Sequence, residues 1–172
     1  MLEFDYNRNK AIETILYISN KLDGIGATKL LKLMFYADIY HLNHYNRPIL
    51  GNKYVAMERG PVLSALYTEI RHNDNVDFEY DSNAGSIMPN RPAKLEYLSE
   101  SDIEAIDDTI NKYGDMTGVE LSAISHTHKA WLNALKREPN SNNADIDWLD
   151  LLEDADEDKI QFLNEYARAI VF

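Results

Sequence analysis

The sequence predicts an α+β fold that is predominantly helical, with about five to six helices around a small antiparallel β-sheet or hairpin. Apolar residues recur at helical spacing over most of the chain. Three short stretches, at 53–58, 76–80 and 94–98, instead alternate in the manner of strands. No linker, internal repeat or low-complexity tract interrupts the 172 residues. We therefore expect a single domain over 1–172.

Two helices are predicted before Pro48. The first begins after Asp5 or Asn7, either of which can cap it, and Gly24 ends it. The second begins near Thr28, whose hydroxyl is a suitable cap. It ends before Pro48, because proline disfavours a helical conformation in the residue that precedes it.

A strand and a third helix are predicted to follow. Residues 53–58 form the strand, and Gly60 and Pro61 end it. Pro61 suits the first turn of a helix, because its missing N–H would have no partner there in any case. We therefore expect a helix over 62–72.

The middle of the chain is predicted to hold a hairpin with a long loop, followed by a capped helix. Strands at 76–80 and 94–98 flank a loop at 81–92, which is rich in serine, asparagine, glycine and proline. Ser99 and Asp102 are spaced as a capping box, with aspartate in place of the usual glutamate or glutamine. This pair predicts the start of the next helix.

The last third of the chain is predicted to be helical. Thr117 or Gly118 opens a helix that runs to Leu135. A turn of helix is expected at 147–152, and a terminal helix over about 156–170. Acidic residues in the first turn of that terminal helix favour its positive end.

The net charge of −12 is unevenly distributed along the chain. Residues 1–72 hold nine Lys and Arg against seven Asp and Glu, and the remaining residues hold eight against 22. An acidic surface repels phosphate backbones, so we expect no direct binding of nucleic acid and a basic protein as partner. The acidic helical tail at 140–172 is a hypothetical source of specificity for that partner.

Composition also bears on cofactors and compartment. The chain has no cysteine, which excludes disulfides, thiolate metal sites and a cysteine nucleophile. The N-terminus lacks a basic segment followed by an apolar one, and no apolar run of about 18 residues occurs. We expect a cytoplasmic protein that does not enter a membrane and that uses no cofactor and no metal.

Three segments carry motifs in a defined order. The first reads Lys-Leu-x-Lys-Leu-x-Phe-Tyr-Ala, the second Met-Glu-Arg-Gly-Pro-Val, and the third Leu-Ser-x-x-Ser-His followed by a tryptophan. The motif residues to which we assign structural roles are Lys29, Leu30, Lys32, Leu33, Tyr36, Gly60, Pro61, Leu121, Ser122, His126 and Trp131. In this order and spacing the chain resembles the Panacea domain family of SocA-like antitoxins and phage-associated proteins, over about 10–135.

The resemblance implies a function. Proteins of this family act as the antitoxin of type II toxin–antitoxin pairs and neutralise a toxin protein, encoded by an adjacent gene, by direct binding. It therefore implies a non-enzymatic role in phage defence or in a prophage, with homo-oligomers possible. Some relatives instead act as adaptors that deliver the toxin to a protease. The chain departs from the family at 57–59, where relatives often have an aromatic and a basic residue before Gly-Pro.

Contacts with a partner are expected from aromatic anchors and from the corner before Gly60. Buried tyrosine rings supply much of the affinity of protein interfaces, so those tyrosines that reach the surface are candidates. Arg59 has two interpretations, an internal ion pair with a carboxylate or a contact with the partner. The predicted partner-binding residues are Tyr40, Tyr45, Tyr54, Glu58, Arg59 and Tyr67.

Two other kinds of site are suggested by residue spacing. Ser122 and His126 lie one helical turn apart and suggest a small hydrolase, although the chain has no nucleophile-elbow motif. Asp38, His41 and His44 are spaced for a shared metal, but histidines at a helix end more often bind free carbonyl groups there. We therefore predict neither a catalytic nor a metal site.

Two lysines and two glycines have simple structural interpretations. Lys29 and Lys32 are expected at a solvated rim, with their aliphatic stems over the core. Gly24 and Gly26 are expected in a turn between helices, because no strand precedes them as a dinucleotide-binding motif requires.

Overall fold

The computed structural model describes residues 1–72 and 76–169. Within these ranges the fold is α+β and predominantly helical, as predicted, with seven α-helices and six strands. The helices are α1 (Arg8–Lys21), α2 (Ala27–Tyr45), α3 (Ser64–His72), α4 (Glu100–Tyr113), α5 (Gly118–Ser125), α6 (Lys129–Arg137) and α7 (Glu157–Tyr166). The strands are β1 (Ile25–Gly26), β2 (Tyr54–Met57), β3 (Gly60–Leu63), β4 (Phe78–Asp81), β5 (Ser86–Pro89) and β6 (Ala144–Ile146).

The centre of the fold is α2. Its side chains at 30–35 and 37–39 are all buried, which a helix shows only when other elements surround it. It packs against α4, α5 and β3. Its N-cap is Gly26, which makes no side-chain cap, so the prediction of a Thr28 cap was wrong. It ends at Tyr45 as predicted, with Asn46 left-handed at φ 55°.

Two small antiparallel sheets flank this helix. One has the strand order β1–β5–β4 and the other the order β3–β2–β6. In the second sheet, Met57 pairs with Gly60 across a two-residue turn, and Ala56 pairs with both Pro61 and Ala144. The strand β2 therefore holds together a local hairpin and a strand from near the C-terminus.

The helix predicted over 62–72 starts later than expected. Gly60, at φ 98°, closes the hairpin turn, and Pro61 lies in β3 instead of in a first helical turn. Proline is tolerated there because β3 is an edge strand. The helix α3 begins only at Ser64.

The loop of the hairpin in the middle of the chain is shorter than predicted. Its second strand, β5, lies inside the expected loop at 81–92, whereas residues 95–97 form a 3₁₀ helix. Asp81 accepts hydrogen bonds from the backbone of the loop, and Gly85, at φ 66°, returns the chain into β5. The turn chemistry therefore closes a four-residue loop.

Local caps decide the helices of the C-terminal half. Ser99 and Thr117 each form a capping box, which confirms both predicted starts. The single helix expected over 117–135 is two helices, because His128 accepts a hydrogen bond from the backbone of Ala130 and caps α6. With this break, the described part of the chain holds seven α-helices, where about five to six were expected. The predicted end of the terminal helix at Ile170 lies outside the described residues.

The segment expected to be a helical tail begins as part of the core. Residues 144–146 form β6, and Trp148 is only 2% exposed. The indole of Trp148 donates to the carbonyl of Asn52 at 2.9 Å and packs edge-on against Phe4 and Tyr54. Residues 153–158, at the start of α7 and just before it, are exposed and almost all acidic.

A buried charge cluster joins α1, α2 and α4. Lys10 and Asp102 form an ion pair at 2.6 Å, with both side chains at most 3% exposed. Arg47 lies 3.2 Å from the same carboxylate, and the ring of His41 lies 3.3 Å from it. Burial alone would raise the pKa of Asp102, but these cations and the cap bond from Ser99 hold it below its ordinary value.

Candidate partner-binding surface

Carbonyl groups around the turn of the β2–β3 hairpin accept hydrogen bonds from motif side chains. The indole N–H of Trp131 donates to the carbonyl of Met57 at 3.0 Å. The hydroxyl of Ser122 donates to the carbonyl of Arg59 at 2.9 Å. The third motif segment, on α5 and α6, therefore fixes the backbone on both sides of the turn.

The first motif segment also fixes this turn. The ammonium of Lys32 donates to the carbonyl of Pro61 at 2.8 Å and is 1% exposed. The expectation that Lys32 lies at a solvated rim was wrong. A Cβ atom on Gly60 would lie 2.3 Å from the hydroxyl of Ser125 and 3.0 Å from the Lys32 nitrogen. The motif glycine is thus required by a close approach as well as by its positive φ.

The remaining motif residues support this arrangement from the core. Leu30, Leu33 and Leu121 are fully or almost fully buried. Tyr36 is half-buried and stacks on an aromatic ring of α4 at 4.5 Å between centroids. Lys29 is not free in solvent, because its ammonium donates to a carbonyl at the end of α4.

The hairpin tip, which we define as Glu58 and Arg59, is exposed on this fixed backbone. Within residues 1–72 and 76–169, no carboxylate lies at ion-pair distance from the Arg59 guanidinium. The interpretation as an internal ion pair is therefore wrong for the described residues. The interpretation as a partner contact stays a prediction.

The four candidate tyrosines divide into three environments. Tyr54 is 1% exposed and donates to Asp38 at 2.7 Å, so it does not reach the surface as the prediction required. Tyr40 and Tyr45 lie near the C-terminal end of α2, where both hydroxyls donate to Glu104 at 2.7 Å. We call the surface formed by Tyr40 and Tyr45 the α2-end surface.

Tyr67 lies on the side of the molecule that carries the hairpin tip. It is half-buried on α3, and the Arg71 guanidinium lies over its ring, 5.4 Å from the centroid. We call the hairpin tip and Tyr67 together the hairpin surface. Lys32 and Tyr45 are 13 residues apart on α2, which puts the two surfaces about 20 Å apart along the helix axis.

A cavity of about 560 Å³ adjoins the hairpin surface. Its walls come from the start of α2, the hairpin turn, α3 and the loop between β4 and β5. No motif predicts this cavity, because its lining is assembled by the fold from four segments that each contribute only a few residues.

The structure does not join the side chains of Ser122 and His126 into the pair that a hydrolase would need. The Ser122 hydroxyl donates to a backbone carbonyl of the hairpin, and the imidazole of His126 packs on Trp131 at 4.5 Å between centroids. The Nε2 atom of His126 is buried and has no hydrogen-bond partner among the described residues. Ser122 and His126 are joined only through the backbone, from the His126 N–H to the Ser122 carbonyl.

The side chains of Asp38, His41 and His44 are not arranged as metal ligands either. Nδ1 of His41 contacts the carbonyl of Arg47 at 2.8 Å, and Nδ1 of His44 contacts the carbonyl of Tyr40 at 2.8 Å. Burial raises the pKa of Asp38 to about 6, against the hydrogen bonds that the carboxylate accepts. Across 1–72 and 76–169, no cluster of three potential ligands is suited to a metal ion.

These observations define a small α+β protein whose sequence motifs fix and display a hairpin. A family model described as antitoxin SocA-like, Panacea domain, matches residues 30–132, which is more than half of the chain. The chain belongs to this family of antitoxin-like domains, and the resemblance seen in its motifs is confirmed. No curated protein and no solved structure gave a significant match. None of the described helices combines the length and apolar character needed to cross a membrane.

Proposed function

We propose that this protein is the antitoxin of a type II toxin–antitoxin system. It binds a cognate toxin protein, encoded by an adjacent gene, and neutralises it by direct contact without catalysing a reaction. The observation that carries the proposal is the family match over 30–132, since this range contains all the residues that hold the hairpin turn. The proposal places the pair in the cytoplasm, in phage defence or in a prophage.

The hairpin surface is the proposed primary contact. Hydrogen bonds from Trp131, Ser122 and Lys32 already fix its backbone, so this backbone loses little conformational entropy when a partner binds. Its tip offers an exposed carboxylate and an exposed guanidinium, and the guanidinium is a planar donor suited to bidentate contacts. Tyr67 beside the tip supplies an aromatic anchor.

The α2-end surface is the proposed secondary contact. The hydroxyls of Tyr40 and Tyr45 are already engaged by Glu104, so a partner would gain mainly ring area there. Charge supports a basic toxin, because the residues after 72 hold 22 acidic against eight basic side chains. Complementary charge speeds association and suppresses wrong partners.

The proposal is tested by co-expression with the adjacent reading frame. Expressed alone, the neighbour is expected to stop growth, and co-expression with this protein is expected to restore it. Size-exclusion chromatography of the co-expressed pair should then give one co-eluting complex. Restored growth without a complex, together with a shortened lifetime of the toxin, would instead identify an adaptor that feeds a protease. A harmless neighbour that forms no complex would refute the proposal.

The contact surface is mapped with matched double variants. Glu58→Ala with Arg59→Ala removes one acid and one base from the hairpin tip and is expected to weaken toxin binding at least about tenfold. The control, Lys94→Ala with Glu96→Ala, removes the same two charges from another exposed segment. Tyr45→Ala reports on the α2-end surface. Equal affinity of the tip variant and the control would exclude the hairpin tip from the interface.

A further inference from the structure

The cavity beside the hairpin has a cationic lining in an acidic protein. Lys32, Arg59 and Arg71 line it, and Glu58 is the one carboxylate among its lining residues. The whole chain carries a net charge of −12, so this is a local reversal of sign. In the parts of the chain that are described, none of the three cations has an ion-pair partner within 4.0 Å. A group of unpaired cations around a concave site attracts anions.

Lys32 is the most unusual of the three cations. Lys32 is among the residues that line the cavity but is only 1% exposed, and the carbonyl of Pro61 is the single hydrogen-bond partner of its ammonium in the described residues. Burial lowers the pKa of Lys32 to about 7, because no counter-charge offsets the loss of solvation. A buried lysine is stabilised when an anion is supplied next to it.

The rest of the cavity suits a ligand larger than a single anion. Its volume of about 560 Å³ lies within the range of pockets for small molecules and cofactors. The side chains of Tyr67 and Tyr80 are part of its lining, and Thr28 and Ser82 add hydroxyl groups. Aromatic rings of this kind stack on a planar base, while the guanidinium groups of arginine bind phosphate oxygens in pairs.

We propose that this cavity binds a small phosphorylated ligand of nucleotide size. Its phosphate groups lie against Lys32, Arg59 and Arg71, and its planar part lies against Tyr67 and Tyr80. The site consists of side chains that the fold brings together from separate segments, which explains why the sequence carries no phosphate-binding loop motif. The inference concerns the isolated chain and is tested without the toxin, although Arg59 and Tyr67 belong both to the cavity lining and to the hairpin surface.

The test is isothermal titration of the purified full chain with ADP, GDP, CDP and UDP, and separately with inorganic phosphate. Saturable binding of at least one diphosphate, with weaker binding of phosphate, is expected. Absence of saturable binding by all four diphosphates at millimolar concentration would overturn the proposal. Binding of phosphate without binding of any diphosphate would also overturn it, since the planar part would then have no role.

Variants locate the binding at this cavity. Arg71→Gln removes an exposed cation and is expected to weaken diphosphate binding at least about tenfold, with unchanged thermal stability. Lys94→Gln removes an exposed cation outside the cavity and serves as the matched control. Lys32→Met, checked for folding by circular dichroism, is expected to weaken binding as strongly as Arg71→Gln. Equal affinity of the Arg71 variant and the Lys94 control would place the ligand elsewhere and refute the assignment.

Discussion

Replacement of Gly60 by alanine is expected to destabilise the protein through both backbone strain and a steric clash. Gly60 has φ 98°, and a left-handed conformation costs an alanine about 1–2 kcal/mol. The added Cβ would also lie 2.3 Å from the Ser125 hydroxyl and 3.0 Å from the Lys32 nitrogen. Overpacking of this kind adds about 1–3 kcal/mol. Together these effects predict a loss of about 2–5 kcal/mol in the free energy of unfolding.

Gly85 offers a matched control for the backbone part of this cost. It also has a positive φ, 66°, but a Cβ there would meet no heavy atom within 4 Å. Gly85→Ala should therefore cost only the strain, about 1–2 kcal/mol. The difference between the two alanine variants measures the close approach of Ser125 and Lys32 to the hairpin turn.

The assay is urea unfolding at 25 °C, followed by the fluorescence of Trp131 and Trp148. The Ser125→Ala background supplies a further check, since it removes the atom nearest to the added methyl group. In that background Gly60→Ala should cost at least about 1 kcal/mol less than in the wild type. A Gly60→Ala variant no less stable than Gly85→Ala would refute the argument that motif side chains hold the turn.

Three further predictions concern buried polar groups. Asp102→Ala removes the carboxylate that forms a buried ion pair with Lys10 and should cost about 3–5 kcal/mol in urea unfolding. Asp145→Ala, at a surface ion pair, should cost under about 1 kcal/mol, and equal costs for the two variants would contradict the reasoning. Trp131→Phe leaves a hairpin carbonyl without its donor and should cost about 1–3 kcal/mol, with a loss of hairpin amide protection in hydrogen exchange. Burial raises the pKa of Asp38 to about 6 in the folded state. Between about pH 4 and pH 6 the folded state therefore binds a proton that the unfolded state lacks, so the contribution of Asp38 to stability falls as pH rises. The stability of Asp38→Asn relative to wild type should therefore increase by up to about 1.4 kcal/mol per pH unit over that window, and a flat difference across unfolding curves at several pH values would exclude the raised pKa.

Sequence reasoning succeeded where the deciding interaction is local. Asn7, Ser99 and Thr117 each cap a helix through a backbone N–H three residues away, so the spacing alone predicts the start. The strand β6 was missed because it is short and is stabilised by pairing with the distant strand β2. The strand β5 pairs with the adjacent β4, but it lies in a stretch rich in serine, asparagine, glycine and proline, which predicts a loop. The pattern at Pro61 predicts a helix for a different reason, because proline after glycine suits a first helical turn, whereas in the fold Pro61 lies in an edge strand paired with Ala56.

The candidate site was predicted unevenly for a related reason. The motif segments were identified by their order, and the structure shows what they share, which is contact with one hairpin turn. Burial could not be predicted residue by residue. Tyr54 and Lys32 both belong to amphipathic stretches, yet neighbouring elements cover them completely. Arg59, in contrast, is exposed although other elements fix the backbone of its turn.

The pairing of β2 with β6 also sets the order in which the protein can mature during synthesis. Tyr54 in β2 pairs with Ile146 in β6, and the carbonyl of Asn52 accepts a hydrogen bond from the indole of Trp148. Ile146 and Trp148 therefore leave the ribosome long after the hairpin itself. Until they arrive, β2 has an unpaired edge and the adjoining core lacks its large indole. A ribosome that stops before Ala144 would therefore release a chain whose motif segments are all present but whose hairpin sheet is unfinished.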